Sequence, residues 1–87
     1  MTEDHQNQAK DRALRRWAKT RDVGDWYALV AAWHWQIRGM AKRVKGPTLD
    51  IAQETNLRLL TAQLDRATGA AFNKLVQTIM ARASADY

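Results

Sequence analysis

The clearest hydrophobic pattern of the chain lies in its second quarter. Apolar side chains recur there at alternating spacings of four and three residues: Trp26, Val30, Trp33, Ile37, Met40 and Val44. A helix turns by about 100° per residue, so this spacing places them all on one helical face. The alternation of a β-strand fits nowhere in this segment. The pattern predicts an amphipathic helix over about residues 25–45, with Trp26 and Trp33 in the core.

An earlier segment carries a narrow apolar stripe opposite a row of cations. The apolar side consists of Ala13, Leu14, Trp17 and Ala18. The opposite side, called here the first cluster, consists of Arg12, Arg15, Arg16 and Lys19. Spacings of three, four and seven residues place these cations in one row. The segment therefore predicts a basic amphipathic helix over about residues 4–20, packed through Leu14 and Trp17.

The C-terminal half contains two apolar stripes that differ in direction by about a quarter turn. The first comprises Leu57, Leu60, Leu64, Ala67 and Ala71, and the second Phe72, Leu75, Val76, Ile79 and Ala83. The direction changes at Gly69, and glycine costs about 1 kcal/mol inside a helix. A break or bend there is favoured over one long helix that contacts different neighbours with different faces. This predicts helices over about 48–68 and 70–84, or one bent helix over both. We expect the central helix to be covered by Leu57, Leu60, Leu64, Leu75 and Ile79.

Glycine and proline mark the other predicted helix ends. Gly46 and Pro47 end the second helix, because glycine is common just past a helix end and proline cannot continue a helix. Thr48 is the expected N-cap of the helix that follows Pro47. Asp25 is the expected N-cap of the helix over about residues 25–45. The sequence thus predicts a single all-α domain over residues 1–87, a small bundle of three or four helices. A chain this short gains stability by self-association, so a homodimer is an alternative to a monomer.

The positive charge of the chain is confined to its N-terminal half. Ten of the fourteen basic residues lie between Lys10 and Lys45, and the net charge of +5 belongs to residues 1–45. After Gly46, four cations balance four carboxylates. An electrostatic field that is positive on one side of a protein indicates an anionic partner, and nucleic acid is the commonest such partner.

A second group of cations, called here the second cluster, follows the tryptophans. It consists of Arg38, Lys42, Arg43 and Lys45. Cations at a helix C-terminus gain about 0.3–1 kcal/mol each from the helix dipole, which explains one or two of them. Arginine forks match phosphate oxygens, so both clusters are candidate phosphate sites. An acidic protein partner and simple solvation are the alternatives. Antiparallel packing of the first two helices would bring the second cluster near the start of the first helix.

Trp35 points away from the stripe that contains Trp26 and Trp33. Its neighbours on that side are small residues and the cations Arg38 and Lys42. Three explanations stay open: stacking on a base, a protein or subunit interface, or a helix buried on both faces.

Catalytic and metal chemistry find little support in the sequence. The chain has no cysteine, and its histidines, His5 and His34, are far apart, so neither a metal site nor a cofactor is expected. It contains no Gly-rich phosphate loop and no HExxH motif. We expect a non-enzymatic protein with no membrane span. The missing cysteine and the polar start MTEDHQNQ fit the cytoplasm.

These patterns favour a small nucleic-acid-binding module that contacts phosphates of DNA or RNA with weak sequence preference, for example as an accessory subunit of a nucleoprotein complex. The main alternative is a protein-interaction module, such as a regulator or inhibitor that docks on an acidic surface of a larger enzyme. A helix lying on an anionic membrane surface is a third possibility. The first hypothesis depends on the N-terminal cations forming an outward surface that the chain's own carboxylates do not neutralise.

Overall fold

The chain forms four helices in the computed structural model, which describes the backbone of residues 3–87 and the side chains of residues 8–87. The helices are α1 (Glu3–Thr20), α2 (Val23–Ala41), α3 (Thr48–Leu59) and α4 (Gly69–Asp86). No strand occurs within residues 3–87. The predicted all-α bundle is therefore confirmed, with four separate helices.

The first two helices form an antiparallel hairpin. At one end of it the Trp17 and Trp26 rings lie 5.7 Å apart, and towards the other end Lys10 Nζ donates to Gln36 Oε1 at 2.6 Å. A second hairpin of α3 and α4 packs on the first, and α2 contacts all three other helices. The central position predicted for the second helix is confirmed.

One buried cluster joins the two hairpins. From α1 and α2 it contains Leu14, Trp17, Trp26, Leu29, Trp33, Ile37 and Ala41, and from α3 and α4 it contains Ile51, Leu59, Phe72, Val76 and Met80. The Trp33 ring meets the Phe72 ring edge-on at 4.6 Å. This geometry favours aromatic pairs because the positive edge of one ring faces the negative face of the other. The prediction that Trp17, Trp26 and Trp33 lie in the core is confirmed.

The second helix ends four residues earlier than predicted. It stops at Ala41, and the turn that follows contains Lys42, Arg43 and Lys45. Gly46 has a φ of 117°, a conformation that residues with a side chain rarely adopt. The chain therefore leaves the helical path before Pro47, and three cations of the second cluster lie in a turn rather than on the helix.

A break between the last two helices is confirmed, but it lies at residues 60–68 rather than at Gly69, which is the first residue of α4. α3 ends at Leu59 instead of residue 68, and residues 60–68 are not helical. Arg21 explains the early end, because its Nη2 donates to the Leu60 carbonyl at 3.0 Å and to the Ala62 carbonyl at 2.9 Å. The chain resumes as α4 at Gly69.

The helix caps differ from the predicted ones. The N-cap of α2 is Asp22 and that of α3 is Pro47, and neither side chain makes a capping hydrogen bond. Asp25 lies in the first turn of α2, where its carboxylate accepts a hydrogen bond from the Thr20 hydroxyl. A side-chain cap does occur at α4, where the Thr68 hydroxyl accepts from the Ala71 amide at 3.2 Å.

The predicted apolar face of α3 is partly wrong. Leu57 is 62% exposed and Leu60 is 40% exposed, so neither covers α2. The buried face consists of Ile51, Thr55 and Leu59, spaced by four residues. Thr55 tolerates burial because its hydroxyl donates to the Ile51 carbonyl at 2.7 Å. The other three expected residues, Leu64, Leu75 and Ile79, are partly buried against the core.

A polar clasp holds the end of α4 to the start of α3. The Tyr87 hydroxyl donates to Asp50 Oδ2 at 2.9 Å, and the Ser84 hydroxyl donates to the Lys45 carbonyl at 2.5 Å. Arg58 pairs with both Glu54 and Asp86, at 3.0 and 2.9 Å. The hydrogen bond to Asp50 raises the pKa of Tyr87, and partial burial and the charge of Asp50 add to this.

We predict that alkaline titration detects the hydrogen bond between Tyr87 and Asp50 as a raised pKa of Tyr87. A raised pKa in the folded state means that the clasp stabilises the fold below the ordinary tyrosine pKa of about 10 and is lost as the pH rises through the raised value. In a Tyr27→Phe background, tyrosinate absorbance then reports Tyr87 alone, and its midpoint should lie above 10. Asp50→Ala should lower this midpoint. Equal midpoints in the two proteins would contradict the clasp.

Candidate nucleic-acid interface

The first cluster forms an outward row on α1. Arg12, Arg15, Arg16 and Lys19 are exposed, whereas Leu14 and Trp17 on the opposite side of the helix are buried. The four cations line one shallow depression along α1, together with Gln8 and Asp11. The structure therefore brings together all four residues that the sequence placed in this row.

Two carboxylates lie closer to this row than the sequence indicated. Asp11 lines the same depression, and Asp25 Oδ1 lies 3.2 Å from Arg16 Nε. The Arg16 side chain is 75% exposed, so this ion pair contributes at most about 1 kcal/mol. Arg12, Arg15 and Lys19 form no ion pair with a carboxylate of residues 8–87. Three of the four charges thus face solvent without neutralisation by these carboxylates.

Asp11 itself is directed towards α4 as well as towards the row. A methyl group added at Gly69 would lie 3.4 Å from Asp11 Oδ1. Gly69 is the first residue of α4, where the helix dipole is positive and attracts a carboxylate. Sequence reasoning missed both Gln8 and Asp11, although their spacings of four from Arg12 and Arg15 place them on this side of α1.

The second cluster is more dispersed than the first. Lys42, Arg43 and Lys45 are exposed in the turn after α2, whereas Arg38 is half-buried. The Arg38 guanidinium carbon lies 5.9 Å from the centre of the Trp35 ring. Since Lys10 contacts Gln36, the antiparallel hairpin places this turn beside the start of α1. The structure therefore does not join the two clusters: the first lies on the half of α1 next to α2's start, and the second follows the opposite end of α2, where the Lys45 carbonyl accepts from the Ser84 hydroxyl of α4.

Two further cations of the N-terminal half have structural roles. Lys10 Nζ lies 4.8 Å from the centre of the Trp33 ring, and the Arg21 guanidinium carbon lies 3.9 Å from that of Trp17. Cation–π contacts of this kind contribute about 0.5–1 kcal/mol at exposed sites. These two residues hold α1 to the rest of the fold, so they are less suited to binding a ligand.

Trp35 is 77% exposed, whereas Trp33 on the same helix is 3% exposed. This excludes the explanation that Trp35 belongs to the core of the chain. Its ring packs edge-on against His34 at 5.0 Å. Ala28 and Ala31 on the same side of α2 are also exposed. Base stacking and a protein interface remain as explanations.

The described part of the chain contains neither a group of metal ligands nor a membrane-spanning helix. No group of three histidine, cysteine, aspartate or glutamate residues is placed to hold a metal ion within the described part of the chain. His34 is exposed, and the His5 side chain lies outside the described residues. None of the four helices, over the residues described, combines the length and apolar character needed to cross a membrane.

We predict that replacing the two tryptophans Trp33 and Trp35 of α2 changes stability by very different amounts. Trp33→Ala removes a buried ring that contacts Phe72 and should lower the free energy of unfolding by about 3–5 kcal/mol. Trp35→Ala removes an exposed ring and should change it by about 0.5 kcal/mol or less. Denaturant unfolding of dilute protein measures both values. Comparable losses in the two variants would show that Trp35 is not exposed in solution.

Comparison with known proteins identifies no relative of this chain. No protein-family model, no curated protein and no solved structure matches it. The interpretation of the basic surface therefore rests on the geometry and charge of its own residues.

Proposed function

We propose that this protein is a non-enzymatic nucleic-acid-binding module that holds the phosphate backbone along the outer face of α1. The observation that carries the proposal is the row formed by Arg12, Arg15 and Lys19. These cations are exposed, lie on one helical face and have no ion pair with a carboxylate of residues 8–87. Lys42, Arg43 and Lys45 add exposed positive charge at the opposite end of the hairpin.

The length of the row suits a short stretch of phosphates. Residues 12 to 19 rise by about 10 Å along the helix axis, which corresponds to about three nucleotide steps of one strand along a duplex. Contacts to so few phosphates give weak binding, with a Kd of about 10⁻⁴–10⁻⁶ M at physiological salt. Phosphate contacts carry no sequence information, so the binding should tolerate many sequences.

The chemistry of α1 favours phosphate over an acidic protein surface. Stable protein interfaces are centred on buried aromatic and apolar anchors. The first cluster contains none, because the large apolar residues of α1 in the described part, Leu14 and Trp17, are buried in the core. The exposed aromatic rings of the hairpin, Tyr27 and Trp35, belong to α2.

A location in the cytoplasm, as an accessory subunit of a nucleoprotein complex, is part of this proposal.

Binding to a labelled DNA duplex and to a labelled single-stranded RNA, measured by fluorescence anisotropy against salt, tests the proposal. The wild type should bind at low salt, and log Kd should rise with log salt by about 0.9 per phosphate contact on the duplex. The triple variant Arg12→Ser, Arg15→Ser, Lys19→Ser should bind at least about tenfold more weakly, because three phosphate contacts are lost. Its salt slope should also be lower.

A matched control removes the same charge elsewhere. Arg66, Lys74 and Arg82 are exposed, lie in the C-terminal half and have no ion pair within residues 8–87. Their triple replacement by serine lowers the net charge equally and should leave most of the binding intact. Equal weakening in the two triple variants would show that overall charge, rather than the row on α1, accounts for the binding. A wild type that binds neither nucleic acid at low salt would refute the proposal.

A further inference from the structure

The fully exposed residues of α2 carry no charge, unlike those of α1, and the half-buried Arg38 borders them, with its guanidinium carbon 5.9 Å from the centre of the Trp35 ring. Seven residues of this helix are exposed, and none is an acid, a lysine or an arginine: Val23, Gly24, Tyr27, Ala28, Ala31, His34 and Trp35. A helix face that remains in water normally carries charged side chains. Trp35 is 77% and Tyr27 is 69% exposed. This composition is typical of a surface that another protein covers, where charge is depleted and aromatic residues are enriched.

No helix side chain within residues 8–87 covers this face. The opposite side of α2 carries the buried residues, such as Trp33 and Ile37, through which it packs against α1, α3 and α4. Residues 28, 31 and 35 point away from them, since they lie about half a turn around the helix. The face is therefore available to a partner molecule.

We propose that the partner is a second copy of this chain, and that two α2 helices cross in antiparallel orientation at Ala31. The inference uses residues of α2 that the proposed phosphate row on α1 does not include. An interface between identical copies must be self-complementary, so that residue i meets residue j and j meets i. The sequence of this face meets that condition.

Shape supports the antiparallel arrangement. With Ala31 at the two-fold axis, Trp35 of one copy lies opposite Tyr27 and Ala28 of the other, and the same contact recurs on the other side of the axis. Ala28 and Ala31 have small side chains, which let the two helix backbones approach closely. Each large ring then lies beside a small residue and an aromatic ring, where it can be buried.

Charge supports the same orientation. α2 is followed by Lys42 and Arg43, whereas both signs of charge meet at its start, with Arg21 before Asp22 and Arg16 paired with Asp25. An antiparallel pair keeps the cationic ends of the two helices apart, whereas a parallel pair places Lys42 and Arg43 of one copy beside those of the other. Like charges across an interface repel each other, so the antiparallel pair is favoured over the parallel one.

The available area is also sufficient. Tryptophan and tyrosine bury about 150–250 Å² each, so the four rings of a dimer supply about 600–1,000 Å². Val23, the alanines and the stems of neighbouring side chains add to this. The total approaches the lower end of the range for stable interfaces, about 1,200 Å². We therefore expect a dimer that dissociates on dilution rather than a permanent one.

Sedimentation velocity over a range of protein concentrations tests the dimer. The wild type should convert from monomer to dimer as its concentration rises. Ala31→Glu places two carboxylates together at the two-fold axis and should weaken the dimer more than about 100-fold. Trp35→Ala should weaken it at least about 30-fold, because each dimer loses two interface anchors.

Ala81→Glu is the matched control, since Ala81 is exposed on α4 and the substitution is chemically identical. This variant should dimerise like the wild type, and circular dichroism should show equal helix content in all variants. A wild type that stays monomeric at the highest concentration would overturn the proposal, as would an Ala31→Glu variant that dimerises normally. The Arg12→Ser, Arg15→Ser, Lys19→Ser variant should still dimerise, so failure of either proposal can be recognised separately.

Discussion

The burial of Leu14 and Trp17 fixes the rotation of α1 about its own axis, and the rest of the surface follows from it. Burying a large apolar side chain contributes about 1.5–3 kcal/mol, whereas an exposed ion pair contributes at most about 1 kcal/mol. Packing rather than charge therefore sets which side of α1 faces inwards. The indole N–H of Trp33 donates to the Lys10 carbonyl at 3.3 Å, and Arg21, directly after α1, donates to the Leu60 and Ala62 carbonyls, so α1 is held to the rest of the fold at two places. The first cluster must then point into solvent.

The N-terminal hairpin presents two outer faces of different chemistry. The face of α1 is cationic and has no exposed large apolar residue in its described part, which suits a flexible, solvated line of phosphates. The fully exposed residues of α2 are uncharged and include two aromatic rings, which suits contact with another protein surface. The two faces need not compete for one ligand. A dimer formed through α2 would carry two cationic rows, and a second row raises the effective concentration of protein on the same nucleic acid.

The sequence predicted what depends on local periodicity and missed what depends on distant contacts. The helical row of the first cluster and the buried side of α2 follow from spacing alone. The end of α3 does not, because Arg21 binds the Leu60 carbonyl from 39 positions away. The pairing of Arg16 with Asp25 likewise requires the two helices to be docked. The sequence left three explanations for Trp35 open, because helix periodicity gives the direction of a side chain but not the neighbours that it meets there.

The most direct test of the account is to map the bound nucleic acid on the protein by NMR. A short DNA duplex is added at low salt to the isotopically labelled protein, and backbone amide shifts are followed residue by residue. The account predicts shifts in residues 12–19 and 42–45, with α4 and the outer face of α2 largely unchanged. Shifts centred on Arg66 and Arg82, or on Trp35 instead of α1, would contradict the claim that the outward row of α1 is the phosphate-binding surface.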